Sequence, residues 1–248
     1  MKVTFLGTSH GITEKNRFCS SIAVTVGNNN YVIDAGAPIT TLLQNYDMPF
    51  KSVKGIFITH PHNDHYIGLV YLTSTLTDYG EFNDTYIDCY VPDDSFYKDV
   101  LRFNFGDENY DKSHVRYHVY GESGVVFDDG VAKITATAVN HCKNSRAFLF
   151  EAEGKRLVFC GDLSYTYSDY PHFATDAEND LVVVEGAHAK LTSRSVLEAT
   201  KSTKTKKLIL THCYDGVNDG ETVKKFFSYF ENNGTECLKA YDGMMVEI

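Results

Sequence analysis

Thr59-His60-Pro61-His62-Asn63-Asp64-His65 packs three histidines and an aspartate into six positions, directly after the apolar run of residues 55–58. An apolar run closed by a polar cluster reads as a strand ending in a loop. The segment beyond it, residues 66–76, has helical period. His60 and His62, two apart, can turn their imidazoles toward one ion while Asp64 and His65 reach a second beside it, because imidazole and carboxylate suit zinc and similar divalent ions. A lone histidine is more often a structural or surface group. Four metal-binding side chains in so short a run change that balance.

Working outward, short β-rich runs bounded by Gly, Asn or Asp fill both halves of the chain. Strands are expected over 2–6, 20–26, 31–33, 55–59, 86–91, 115–119, 133–139, 147–151, 156–160, 181–185, 207–211 and 237–241. Helix-period segments fall at 39–46, 66–76, 95–103, 193–201 and 221–230. The turn signals Gly27-Asn28-Asn29-Asn30 and Glu153-Gly154-Lys155 predict hairpins, so much of the sheet is antiparallel. An α+β arrangement follows, two mixed sheets packed as a sandwich with outer helices, over a single domain spanning residues 1–248.

The composition is that of a chain able to bury a core without staples: 248 residues, 43% hydrophobic and 23% charged. A metal in such a chain is functional rather than structural. The formal net charge of −10 counts against a long nucleic-acid partner, whose binding rests on clustered Lys and Arg. The N-terminal run lacks the apolar core of a signal peptide, and no apolar stretch reaches membrane-spanning length, so no membrane role is expected. Six scattered cysteines without a CxxC pair fit a reducing cytoplasm. Residues 79–120 are rich in Tyr and Phe among Asp and Asn, readable as a lid or oligomer face or as rings packed into the core.

The run from His60 to His65 resembles the HxHxDH signature of the metallo-β-lactamase superfamily, and the resemblance extends along the chain. Phe5-Leu6-Gly7-Thr8 and Val32-Ile33-Asp34-Ala35-Gly36 precede the signature; His141, Cys160-Gly161-Asp162 and Leu210-Thr211-His212 follow it, each at the end of an expected strand. The resemblance implies an αββα four-layer sandwich. It also implies two metal ions, one held by His60, His62 and His141, the other by Asp64, His65 and His212, with Asp162 bridging. Zinc is expected, with manganese or iron as alternatives. Asp34 has two readings, a turn residue or a carboxylate that orients a ligand imidazole.

A metal pair about 3.5–4 Å apart can acidify a bridging water into hydroxide and clamp attacking and leaving oxygens, so a hydrolase is implied, with Asp64 among its catalytic residues. The bridging aspartate is unlike the true β-lactamases. Flavo-di-iron proteins carry glutamate at the position of His62, and glyoxalase II-like thioesterases continue into a helical domain where only a short segment follows His212. Ala240-Tyr241-Asp242-Gly243-Met244 resembles the ribonuclease Z and phosphodiesterase branch. In ribonuclease Z a Glu-Ala-Thr and a His-Ser-Thr trio precede the last ligand; here stand Glu185-Gly186-Ala187 and Leu191-Thr192-Ser193, without the histidine. His188 is the candidate to supply the leaving-group proton, or else an exposed or capping residue. The tRNA-capturing arm has no room between His141 and Asp162. A small phosphodiester or nucleotide is therefore the expected substrate, with Lys143 and Arg146 as phosphate contacts or mere surface charges, and His10 lining the pocket. Relatives suggest a homodimer. A lactone or thioester hydrolase and a non-catalytic metal-binding sensor or scaffold are the competing readings.

Overall fold

The computed structural model describes residues 1–12, 14–106 and 110–248, apart from the side chains of Phe96 and Tyr110. Its strands are β1 (Lys2–Gly7), β2 (Ser21–Val26), β3 (Asn29–Ile33), β4 (Val53–Phe57), β5 (Ile87–Val91), β6 (Val115–Val119), β7 (Gly124–Asp128), β8 (Ala132–Val139), β9 (Ser145–Ala152), β10 (Lys155–Phe159), β11 (Leu181–Glu185), β12 (Lys207–Thr211), β13 (Glu236–Lys239) and β14 (Met245–Glu247). They form two sheets, ordered β14-β1-β2-β3-β4-β5-β6 and β13-β12-β11-β10-β9-β8-β7. Each sheet is mixed. In the first, β14 through β3 pair antiparallel and β3 through β6 parallel. In the second, β7 through β10 pair antiparallel and β10 through β13 parallel.

Alternation along the strands divides the core. Phe5, Phe57, Phe159, Val183 and Ile209 point between the sheets into one cluster. Their neighbours Leu6, Ile56 and Ile58 turn outward to a second cluster, packed against Leu42 of α1 (Ile39–Asn45) and Leu69 and Leu72 of α3 (Gly68–Asp78); the short α2 (Asn63–Tyr66) lies between these two helices in sequence. Val158, Val182 and Leu208 turn outward on the other side. They meet Val196 of α6 (Arg194–Thr200) and Phe226 of α7 (Gly220–Glu231). The remaining helices are α4 (Ser95–Phe105) and α5 (Phe173–Asp176). The result is the expected αββα sandwich.

Both expected hairpins form. In the β9–β10 turn Glu153 and Gly154 have φ of 52° and 71°, the left-handed pair whose twist matches the flanking strands. The sequence reading missed β7 and β14 and took 66–76 for one helix. The helix forms instead over Gly68–Asp78, parted from α2 at Ile67, and an added Cβ at Gly68 would lie 2.6 Å from the Ala35 carbonyl oxygen. The aromatic stretch divides: Tyr90 stacks on Phe57 and Tyr97 on Tyr117, each with centroids 5.0 Å apart, whereas Tyr79, Tyr86 and Phe103 are exposed. Among the described residues no helix is long and apolar enough to cross a membrane.

Candidate metal centre

Parallel strands deliver their carboxyl ends to one place. Asp34 follows β3, His60 follows β4, Asp162 follows β10, Glu185 ends β11 and His212 follows β12. Three of these exits use a left-handed step, at Asp34 (φ 62°), Gly161 (φ 61°) and His212 (φ 52°). Such a step is costly for most residues and gathers at functional sites. Gly161 is required twice over, because a Cβ there would lie 2.8 Å from the Arg146 carbonyl and 3.2 Å from the Thr59 Cβ. At that crossing the Arg146 amide also donates to the Thr59 carbonyl, fastening one sheet's loops to the other's.

All seven residues expected as ligands come together. His60, His62, His141 and Asp162 present atoms within 4.8 Å of one another, and so do Asp64, His65 and His212. His60 Nε2 and His141 Nε2 each lie 3.1 Å from His62 Nδ1, and His65 Nε2 lies 3.2 Å from His212 Nε2. Asp162 Oδ2 stands 3.5 Å from His65 Nε2, 3.6 Å from His60 Nε2 and 3.7 Å from His141 Nε2. It thus lies between the two groups. Nitrogens on a shared tetrahedral ion with bonds of about 2.0–2.1 Å sit about 3.3 Å apart, so these separations fit metal ligation.

The far side of three of the five rings supports the same orientation. His60 Nδ1 meets Thr59 Oγ1 at 3.0 Å, His65 Nδ1 meets Asp34 Oδ2 at 2.7 Å, and His141 Nδ1 meets the Leu163 carbonyl at 3.3 Å. A proton held there leaves the Nε2 lone pair facing inward. Asp34 satisfies both of its sequence readings, since it makes the left-handed turn and also accepts from His65, the Thr59 amide and the Thr59 hydroxyl.

Charge in the cluster favours cations. Burial alone would raise the carboxyl pKa of Asp162, but His212, His65 and His60 outweigh it and hold the group well below its ordinary value. Asp64 is likewise depressed against its burial, by His212 and His65. Burial, with His65 beside it, pushes His60 well below its ordinary value, whereas for His65 the carboxylates of Asp162 and Asp34 overcome burial and push it well above. Ionised carboxylates buried among imidazoles are stable only with protons or metal ions among them.

Above the cluster opens a pocket of 270 Å³ to which His10, Ile12, His188 and Tyr214 contribute. His188 is 22% exposed, with Nδ1 3.4 Å from Glu185 Oε1 and 3.8 Å from Asp162 Oδ2. Burial lowers its proton affinity, yet Glu185 and Asp162 together raise it above the ordinary value. Glu185 is buried, and its other oxygen accepts from the Ala187 and His188 amides. Lys143 and Arg146 do not join this pocket: Lys143 is exposed, and Arg146 is buried, its guanidinium donating to the Ser145 and Gly121 carbonyls. Among the described residues that line the pocket there is no Lys or Arg.

Contacts between residues far apart in sequence fix the rim. Asp242 accepts from the amide and hydroxyl of Thr8 and the amide of Phe18, and Arg17 donates to the Cys213 carbonyl at 3.0 Å. Asn218, fully buried, holds the His188 loop by donating to the Gly186 and Ala189 carbonyls and accepting from the Leu191 amide. Only the Glu185-to-His188 spacing could have pointed to one of these contacts from sequence.

The family model described as Anti-Pycsar protein Apyc1 matches residues 1–235. A ribonuclease Z of Synechococcus sp. (strain CC9311) is 32% identical over 160 residues, 62% of this chain and 50% of that protein. The chain thus spans about half the length of the curated relatives it matches. Among solved structures, the metallo-β-lactamase fold protein YhfI from Bacillus subtilis is similar with a TM-score of 0.77 at 19% identity, over 100% of this chain and 99% of that one. The short form of human tRNase Z gives 0.75 at 20% identity, again over 100% and 99%. The structural similarities establish the metallo-β-lactamase fold.

Proposed function

The chain belongs to the family described as Anti-Pycsar protein Apyc1, and we propose that it is a dinuclear metal-dependent phosphodiesterase acting on a small phosphodiester such as a cyclic nucleotide. The observation that carries this reading is the position of Asp162 Oδ2, within 3.5–3.7 Å of ring nitrogens from both ligand groups. His60, His62 and His141 would hold one ion, Asp64, His65 and His212 the other, with Asp162 shared. Bound there, divalent ions supply an acidified water and positive charge for phosphate oxygens. Imidazole and carboxylate suit zinc, manganese and iron alike, so elemental analysis of the purified protein identifies the metal.

The chain's own residues divide the remaining work. Asp34 and Thr59 orient the imidazoles of His65 and His60. His188, its proton affinity raised by Glu185, holds a proton for the leaving oxygen beside the cluster. A pocket lining with no Lys or Arg among the described residues and a formal charge of −10 disfavour a long polyanion. Between His141 and Asp162 the chain forms only the β9–β10 hairpin, which carries no protruding arm.

Metal-loaded protein should hydrolyse bis(p-nitrophenyl) phosphate and cyclic nucleotides, and His62→Ala or Asp162→Ala should abolish turnover. His188→Gln should slow alkyl leaving groups by roughly 10²–10⁴-fold and p-nitrophenyl, which needs no proton, far less. Inertness of the metallated protein toward a broad phosphodiester panel refutes the reading. Preference for lactones or thioesters in the same panel would move the activity to carbonyl carbon.

A further inference from the structure

We propose that Tyr214, seated on His10, is the ring on which a planar heteroaromatic group of the substrate stacks; this rests on the phosphodiesterase reading and specifies a nucleotide base. Tyr214 follows His212 by two residues and contributes to the pocket that Asp64, Asp162 and His212 floor. Tyr214 is 36% exposed, and its ring rests against that of His10, centroids 4.5 Å apart and planes tilted by 50°. His10 itself is buried, with Nε2 3.2 Å from Glu14 and Nδ1 accepting from the Ile12 amide. With both nitrogens engaged within its own loop, His10 is a support and not a ligand.

The chain is built around this ring. A Cβ at position 216 would lie 2.6 Å from Tyr214 Cζ and 2.8 Å from its hydroxyl, so Gly216 leaves the space the ring occupies. The Tyr214 amide donates to the Gly186 carbonyl, and its own carbonyl accepts from Val217 and Asn218. The His10 loop is anchored by Asp242, and Arg17 ties it to Cys213, the residue next to Tyr214. A pocket of 270 Å³ lies just below the usual range of about 300–1,000 Å³ for small-ligand sites, a size suited to a small ligand. With no Lys or Arg among the described lining residues, recognition away from the phosphate falls to the aromatic and apolar surface of Ile12, Ala187 and Tyr214.

Adenosine monophosphate and ribose 5-phosphate share a phosphate and differ in the base. Titrated into the metal-loaded protein by calorimetry, the nucleotide should bind about 5- to 150-fold more tightly, the range for stacking one base on an aromatic side chain. Its base protons should move upfield in NMR spectra. Tyr214→Phe and Tyr214→Trp should keep the preference. Tyr214→Ala and Tyr214→Leu, the latter retaining bulk without a π face, should cut it to a factor of about two, and Gly216→Ala should do the same by displacing the ring. Equal affinities in the parent protein, or a preference that survives both Tyr214→Ala and Tyr214→Leu, would overturn the inference. Wild-type protein that hydrolyses no phosphodiester would refute the phosphodiesterase reading, while the binding preference and upfield shift still judge the stacking site.

Discussion

Replacing Asp34 by asparagine should weaken metal binding about 10- to 100-fold, or about 1.4–2.7 kcal/mol, the usual effect of removing a group that orients a ligand imidazole. Asparagine fits the site in shape and accepts the left-handed φ of 62°. It also offers an oxygen for the Thr59 amide, now bonded to Asp34 at 2.7 Å. Its NH₂, however, would face His65 Nδ1, 2.7 Å from the present carboxylate oxygen. His65 must then carry its proton on Nε2, the nitrogen directed at His212 and Asp64. Asp34→Ala is harsher, leaving the Thr59 amide, the Thr59 hydroxyl and His65 Nδ1 without their acceptor at about 1–3 kcal/mol each. A total of roughly 3–9 kcal/mol should lower the melting temperature of the metal-free protein by about 6–36 °C. Chelator competition measures the first effect and calorimetric unfolding the second. Asparagine forms turns as readily as aspartate, so native affinity in Asp34→Asn would show that Asp34 is a turn residue and nothing more.

Three further outcomes follow from other contacts. Stripping metal with a chelator should lower the melting temperature, and the affinity for added zinc should fall as pH falls, because protons and metal ions compete for the same imidazoles and carboxylates; pH-independent affinity would contradict the ligand set. Asn218→Ala orphans the Ala189 carbonyl and the Leu191 amide and removes one of two donors from the Gly186 carbonyl, and should cost about 2–6 kcal/mol in denaturant titrations. Asp180, which accepts from the Arg156 amide and from Lys206, has its carboxyl held below the ordinary value against its partial burial, mainly by Lys206 and the Arg156 amide. Its stabilisation is therefore present above pH 3.8 and lost as pH falls through its folded value, so Asp180→Asn should be less stable by about 0.2–1 kcal/mol at neutral pH and indistinguishable in strong acid.

What could be read from sequence was what repeats or clusters. Alternating apolar residues revealed the strands that face two layers, such as β4 and β10, and four metal-binding side chains beside one another revealed the ligand loop. Strand β7 stayed hidden because, as an edge strand with Val125 exposed, it lacks a buried face and is bracketed by Glu122-Ser123-Gly124 and Asp128-Asp129-Gly130. Strand β14 has only three residues and gains its place from β1. Arg146 looked like a phosphate contact because its neighbour in sequence is His141, yet strand alternation and the Gly121 carbonyl draw it inside. Tyr214 and Asp242 act through partners far away in the chain, and no local pattern records such pairs.

The bond from Thr8 to Asp242 spans 234 positions, and that from Phe18 to the same carboxylate spans 224. A ribosome adds residues in order, so a nascent chain that has reached His212 already owns every proposed metal ligand while its first loop still lacks the anchor. The pocket wall thus waits for a partner made after every proposed ligand, as does the long-range pairing that brings β14 to β1. Free chains truncated near residue 235 should capture metal without discriminating among ligands, separating two properties that the full chain shows together.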